Sequence, residues 1–448
     1  MSPLRRLRWS TPVAAFSSPE MARAAFQLWA HGELTEGPEA FRRRALDRSI
    51  AMTSGIAGAR VDLDLLFPAG ALDAAIETLA ALLHPVPIGE DRFEGLRRET
   101  ALLLLAEEGA PANAARRLRR AVEAPREANE ADEEGAQATL ARLDPASIQA
   151  ALVAAIAAPG NVVAHATPSV AAEAALGRLA EAAANWPMVV ASRSAHPDAY
   201  PDAEPAPTRP SAAPASAIPN AIHLLDQPGA RQVEILASLP ASVRSEAEGA
   251  PSAAAMPGSS LDDADRPALE MLASLLGDPV GGRLFRDLRE RQGLAYEIGA
   301  SLAFDDHFAV STRTRPERLA ALIVGIEAHW QALVQQPVLD CEAAMLTDRM
   351  IGALALEADD PKARLDALLR ARDPSEDGGS LAVRAAAYQS VSSERLSRVA
   401  RERLAAGPTF YLVGDAHPIA DRLAQALPGR EIRIYDANRV LRETRRAP

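Results

Sequence analysis

Two stretches far apart in this chain read in the same order of elements. Self-similarity on that scale constrains a chain to fold as two like halves. In the first stretch residues 146–157 read as a helix, Pro159-Gly160-Asn161 as a turn, 162–167 as a strand and 170–185 as a helix closed by Trp186-Pro187. In the second, 393–404 read as a helix, Ala406-Gly407-Pro408 as a turn, 409–413 as a strand, 414–418 as a turn and 419–427 as a helix. Between the halves, residues 192–219 are rich in Pro and Ala without periodic apolar positions, so they bury too little surface to offset ordering. The reading is therefore an N-terminal domain over 1–191, a linker over 192–219 and a C-terminal domain over 220–448.

Local patterns fill in the halves. In the first we expect short strands at 12–16 and 25–31, a helix at 39–53, a strand at 59–67, and helices at 71–83, 91–108 and 112–122, with Leu96 and Leu102 to Leu105 in the core. In the second we expect strands at 222–226 and 232–239, a helix at 263–276, a strand pair across 294–312, and helices at 316–335 and 338–357. Residues 246–260 read as a polar loop and 361–372 as an Ala-rich helix. Strands paired with near neighbours and mixed with helices make the class α+β.

Charge and cysteine usage exclude several functions. The net charge is -12, and the Arg-rich pieces at 42–44 and 116–120 alternate with apolar residues as helix faces do, which argues against nucleic-acid or anionic-membrane partners. Cys341 is the one cysteine, so there is neither an internal disulfide nor a cysteine zinc site. Its neighbours Asp340 and Glu342 disfavour the thiolate, which makes it a structural thiol. The apolar patch after Arg5, Arg6 and Arg8 is too short for a signal core, and nothing approaches the ~20 apolar residues of a membrane span. We expect a cytoplasmic protein, or a periplasmic one if a leader precedes this start.

The stretch from Gly277 to Ala303, GDPVGGRLFRDLRERQGLAYEIGASLA, carries the chemistry. Leu284, Phe285 and Leu288 fall at helical spacing over 283–291, Gly293 suits a left-handed helix ending, and 294–302 turns strand-like. Arg289 in the last turn and Tyr296 early in the strand flank one reversal of direction, where two hydrogen-bond donors can converge. A plainer reading of the same residues has Arg289 complementing the helix dipole and Tyr296 as a half-buried strand aromatic.

The runs Gly282-Arg283-Leu284-Phe285, Leu288-Arg289 and Gly293-Leu294-Ala295-Tyr296 resemble the C-terminal signature of the insulinase/pitrilysin and mitochondrial-processing-peptidase-like metallopeptidases. That resemblance implies two homologous halves, each an antiparallel sheet with helices mainly on one face. It also implies that Arg289 and Tyr296 bind a peptide substrate near its scissile carbonyl. Active members hold zinc with His-x-x-Glu-His and a further Glu. The eight histidines (His31, His84, His165, His196, His223, His307, His329 and His417) include no two within five residues of each other. His31 is followed by Glu33 but by no second His, and the helix expected to carry the motif is shortened to 39–53.

Other candidates take structural readings. Glu107 and Glu108 read as solvated helix-end carboxylates in preference to a third ligand, and His307 with Asp305 and Asp306 as a turn. Gly281-Gly282 lacks a phosphate-loop context, and no GxSxG elbow occurs. We therefore expect no catalytic residue and no metal ligand in this chain. The resemblance implies a non-catalytic subunit of a heterodimeric peptidase, not active alone, whose zinc resides in a His-x-x-Glu-His sister subunit. Bacterial examples include the inactive partner of the protease that processes the peptide precursor of pyrroloquinoline quinone; the near absence of lysine, with only Lys362, suits a GC-rich bacterial genome. The alternatives are a proteolytically inactive structural subunit, as in the core of a respiratory complex, and a stand-alone peptide-binding protein.

Overall fold

The computed structural model describes residues 4–16, 19–123 except 31, 33, 36, 58 and 59, 141–183 except 159, 160 and 167–171, then 186, 221–240, 265–302, and 307–446 except 361, 364 and 366–380. The linker at 192–219, the loop at 246–260 and most of the helix expected at 361–372 lie outside the described residues. Two compact units emerge. Residues 1–106, 134–203 and 355–380 form one, and 107–133, 204–354 and 381–448 the other.

The first unit runs β1 (Leu4–Pro12), α1 (Pro19–Ala30), α2 (Pro38–Asp47), β2 (Ala51–Ala57), β3 (Arg60–Pro68), α3 (Leu72–Leu82) and most of α4 (Glu90–Gly109). After α5 (Pro111–Glu123), which clusters with the second unit, come α6 (Pro145–Ala157), β4 (Val162–Ala166) and α7 (Ala172–Ala183). The strands pair antiparallel in the order β2-β3-β1-β4. Alternation along β1 and β3 turns Leu7, Trp9, Val61, Leu63, Leu65 and Phe67 into the core, where Trp9 stacks on Phe26 and meets Trp29 edge-on.

Four expectations are corrected here. Of the stretch 25–31 read as a strand, residues 25–30 belong to α1, because Ala22, Ala25, Phe26 and Trp29 recur at helical spacing and all four are buried, while residue 31 lies outside the described residues. The preceding strand is β1, upstream of the expected 12–16, and 13–15 form a 3-10 turn. The expected helix at 39–53 ends at Asp47, and Ala51 already opens β2. Leu102 is 67% exposed and not a core residue.

The second unit runs β5 (Ile222–Asp226), β6 (Val233–Pro240), α8 (Arg266–Gly277), a π-helix (Phe285–Arg291), β7 (Ile298–Leu302), β8 (His307–Thr314), α9 (Leu319–Gln335) and most of α10 (Asp340–Asp359). It continues with α11 (Leu381–Gln389), α12 (Ser393–Arg403), β9 (Thr409–Gly414), α13 (Ala416–Ala426), β10 (Glu431–Tyr435) and β11 (Leu441–Arg446). Its seven strands lie in the order β11-β10-β5-β9-β6-β8-β7. The sheet is mixed and not purely antiparallel, since β5 pairs parallel with both β9 and β10.

The duplication is explicit in the strand order. Reading β7-β8-β6-β9 beside β2-β3-β1-β4 matches each strand with its counterpart, and two helices follow the first strand of each set. In that correspondence the π-helix is the partner of α2. Helices do not keep to one face of the second sheet. Leu118, Ala114 and Ala115 of α5 pack on Leu225, Leu236, Tyr411 and Val413, opposite the main helical layer. Glu123 at the end of α5 accepts hydrogen bonds from the Tyr411 hydroxyl at 2.8 Å and from His307 Nε2 at 3.0 Å. His307 thus opens β8 and pairs with Glu123, beyond the turn role read for it. Among the described residues no helix is long and apolar enough to cross a membrane.

Candidate functional site

The segment from Gly277 to Leu302 is built by close approach. A Cβ on Gly277 would lie 2.0 Å from the backbone nitrogen of Ala300, so only glycine lets the end of α8 lie against β7. After this contact Leu284 and Leu288, both fully buried, anchor the next helix in the core. That helix is a π-helix, not the α-helix its spacing implies. The N–H of Gln292 bonds the Asp287 carbonyl at 2.9 Å, and the N–H of Leu294 reaches the Leu288 carbonyl at 2.8 Å. Gly293, at φ +63°, makes the left-handed ending possible, and the closing bonds span one residue more than in a Schellman ending, as the wider turn requires.

The widened helix brings Arg289 beside two rings. Its guanidinium carbon lies 4.4 Å from the centre of the Phe285 ring, one turn back, and 5.2 Å from that of Tyr296 across the reversal. Both lie within the range of cation–π attraction. Phe285 is almost fully buried and serves as a floor, whereas Tyr296 is 82% exposed. Tyr296 sits two residues before β7, in the connecting loop and not in the strand. The loop is fixed from β8. Thr314 Oγ1 donates to the Leu294 carbonyl at 2.6 Å and Thr312 Oγ1 to the Glu297 carbonyl at 2.6 Å.

Among the described residues neither the Arg289 guanidinium nor the Tyr296 hydroxyl has a hydrogen-bond or ion-pair partner. The dipole-complementing role falls to Arg318, whose guanidinium donates to the Gly293 carbonyl at the helix end. The structure thus sets the half-buried Arg289 guanidinium beside the exposed Tyr296 ring, over Phe285. Phe285, read from its spacing, and Thr312, Thr314 and Arg318, which were not singled out in the sequence, position them. The alternation of β8 is the signal that would have found the threonines, since it turns both inward.

The remaining candidates lie elsewhere. Cys341 is exposed near the start of α10. Glu107 and Glu108 fall in α4, their side chains outside the description, and His31, Glu33, Asp305 and Asp306 lie outside the described residues. Neither α1 nor α2 contains a histidine. Among the described residues no three His, Cys, Asp or Glu side chains gather to hold a metal ion.

Comparison with known proteins places these features. Residues 229–343, which include Arg289 and Tyr296, match the family described as the peptidase M16 inactive domain. An uncharacterized zinc protease of Streptomyces coelicolor is 25% identical over 175 residues, a match that spans only 38% of that relative and 38% of this chain. The crystal structure of a peptidase M16 inactive domain from Pseudomonas fluorescens superposes with a TM-score of 0.65 at 14% identity, covering 92% of this chain and 93% of that one. The periplasmic protease PqqL from Escherichia coli gives 0.60 at 12% identity, covering 92% of this chain and 43% of PqqL. Likeness at such identity is likeness of fold.

Proposed function

We propose that this chain, an inactive member of the M16 peptidases in fold and in its Arg289–Tyr296 segment, is the non-catalytic subunit of a two-chain zinc peptidase. The observation that supports this most is the pair of donors, half-buried Arg289 over the Phe285 ring and exposed Tyr296 on a loop pinned from β8, neither with a partner among the described residues. A peptide carbonyl laid across them would meet a guanidinium and a phenol together. Such donors strengthen as negative charge grows on the carbonyl oxygen, and they cost little reorganisation because the rings already hold the guanidinium. A zinc-bearing sister with His-x-x-Glu-His would supply the metal-activated water and the proton-transfer carboxylate. This chain's part is to bind and orient the peptide.

A purely structural subunit has no use for two adjacent donors left without partners among the described residues, and that favours the peptidase reading over the respiratory-core one. The precursor peptide of pyrroloquinoline quinone is the substrate to offer first, as a bacterial peptide processed by such a pair. The test is co-expression of this chain with a His-x-x-Glu-His sister from its own genome, followed by a peptide-cleavage assay with and without this chain. Cleavage that needs both chains is expected. Full-rate cleavage by the sister alone would overturn the proposal.

A further inference from the structure

The π-helix and Arg283 just before it carry a second set of cations away from Arg289 and Tyr296. Arg283, Asp287 and Arg291 recur every fourth residue, and with Arg286 and His329 of α9 they line a pocket of about 290 Å³. Neither Arg289 nor Tyr296 lines it. Its one lining carboxylate is already saturated. Asp287 accepts from Gln292 Nε2 at 2.9 Å and from His329 Nε2 at 2.7 Å, and pairs with Arg291 at 2.6 Å. The Gln292 amide, helped by His329 and Arg291, holds the Asp287 carboxyl below the usual carboxylate range.

The guanidinium groups are not saturated in return. Arg283 uses one terminal nitrogen on Glu342 of α10 at 2.8 Å, and Arg291 one on Asp287. Arg286 is exposed and has no hydrogen-bond or ion-pair partner among the described residues. A guanidinium presents five N–H donors in a planar fork that matches the oxygens of carboxylate and phosphate. Three such forks against two acids, Asp287 and the Glu342 that faces Arg283 and Arg286, still leave a local excess of positive charge in a chain whose net charge is -12. That overall charge disfavours a long polyanion, and the pocket's volume suits a small one.

We propose that the pocket formed by Arg283, Arg286, Arg291 and the Asp287–His329 pair is a binding site for a small free oxyanion of the phosphate or carboxylate type. The site is independent of the peptidase reading. The anion bridges the free nitrogens of Arg283, Arg286 and Arg291, tying the π-helix to α9 and α10 through His329 and Glu342.

The test titrates the full chain with inorganic phosphate, and separately with acetate, at ionic strength held constant with sodium chloride. Binding is read by phosphorus NMR and by thermal melting. Saturable binding is expected, with a melting temperature that rises with phosphate or acetate but not with chloride. Arg286→Ala removes an exposed side chain that makes no hydrogen bond or ion pair among the described residues, so it keeps the fold; it should weaken binding by about tenfold, the factor one charge-assisted hydrogen bond supports. Arg286→Ala/Arg291→Ala should abolish binding. Absence of saturable binding by either ion, or affinity unchanged in Arg286→Ala and in the double variant, would overturn the assignment. An anion source on another polypeptide is separated by a short glutamate peptide in the same assay: binding of that peptide with no binding of the free ions also overturns it.

Discussion

The hydroxyl of Thr314 donates to the carbonyl of Leu294 at 2.6 Å, two residues before Tyr296, so a buried residue of β8 sets the path of the loop that carries the exposed phenol. Thr314→Val keeps the shape and leaves that carbonyl without its partner. We expect a loss of about 1–3 kcal/mol in denaturant unfolding, the cost of an unsatisfied polar group. Hydrogen exchange over 294–297 should rise more than in the rest of the sheet.

Two glycines in the same unit should respond in opposite directions. Gly277→Ala drives a methyl into the backbone of Ala300 at 2.0 Å, and overpacking against backbone costs about 1–3 kcal/mol or more. Gly352 lies within α10 with open space around the position of a Cβ. There Gly352→Ala should stabilise by roughly 0.5–1 kcal/mol through helix propensity. Chemical denaturation of both variants beside the wild type checks the pair.

His223 makes stability fall in acid. It is fully buried on β5, its Nδ1 bonds the Tyr435 hydroxyl at 2.8 Å, and its Nε2 has no hydrogen-bond partner among the described residues. Burial, with Arg433 nearby, holds its pKa at about 4 against an ordinary 6.5. The unfolded chain takes up a proton as pH falls through 6.5, and the folded chain does so only near 4. The stabilisation is therefore full above 6.5 and is lost between 6.5 and 4, on the order of 3 kcal/mol by linkage. Burial holds His165 at about 4 as well and adds a second contribution of the same sign. Melting temperatures measured from pH 7 to pH 4.5 should fall for the wild type and fall less steeply for His223→Phe.

The seating of α5 on the second sheet can be broken selectively. Leu118 is fully buried there, and Leu118→Ala should cost about 2–5 kcal/mol. Hydrogen exchange should show protection lost first in 111–123. Retained protection there would mean that the Glu123 contacts to Tyr411 and His307 hold the helix without its apolar face.

The doubling was legible because Pro and Gly punctuate both copies at the same places, around Asn161 and around Pro408. What escaped was decided by contacts between distant residues. Residues 25–31 alternate well enough to pass for a strand, and only Trp9 and the rest of the first core, by claiming Phe26 and Trp29 together, settle 25–30 as helix. The strands β10 and β11 were missed because charged residues that pair with one another, Arg433 with Glu431 and Arg445 with Glu443, interrupt the apolar pattern, although Ile432 and Ile434 of β10 enter the core. At the site, the spacing of Arg289 and Tyr296 announced a convergence. The π-turn that creates it, and the threonines that fix it, depend on β8 and could not be read from the motif.

The central claim is that Arg289 and Tyr296 act on a peptide cut by a partner's metal. It is tested most directly by assembling this chain, as wild type, Arg289→Ala and Tyr296→Phe, with a His-x-x-Glu-His sister and measuring kcat and KM for peptide cleavage. We expect each variant to assemble normally and to lower kcat by about 10²-fold or more, as loss of one charge-stabilising donor does. Cleavage at the wild-type rate by an assembly carrying both substitutions would contradict the account.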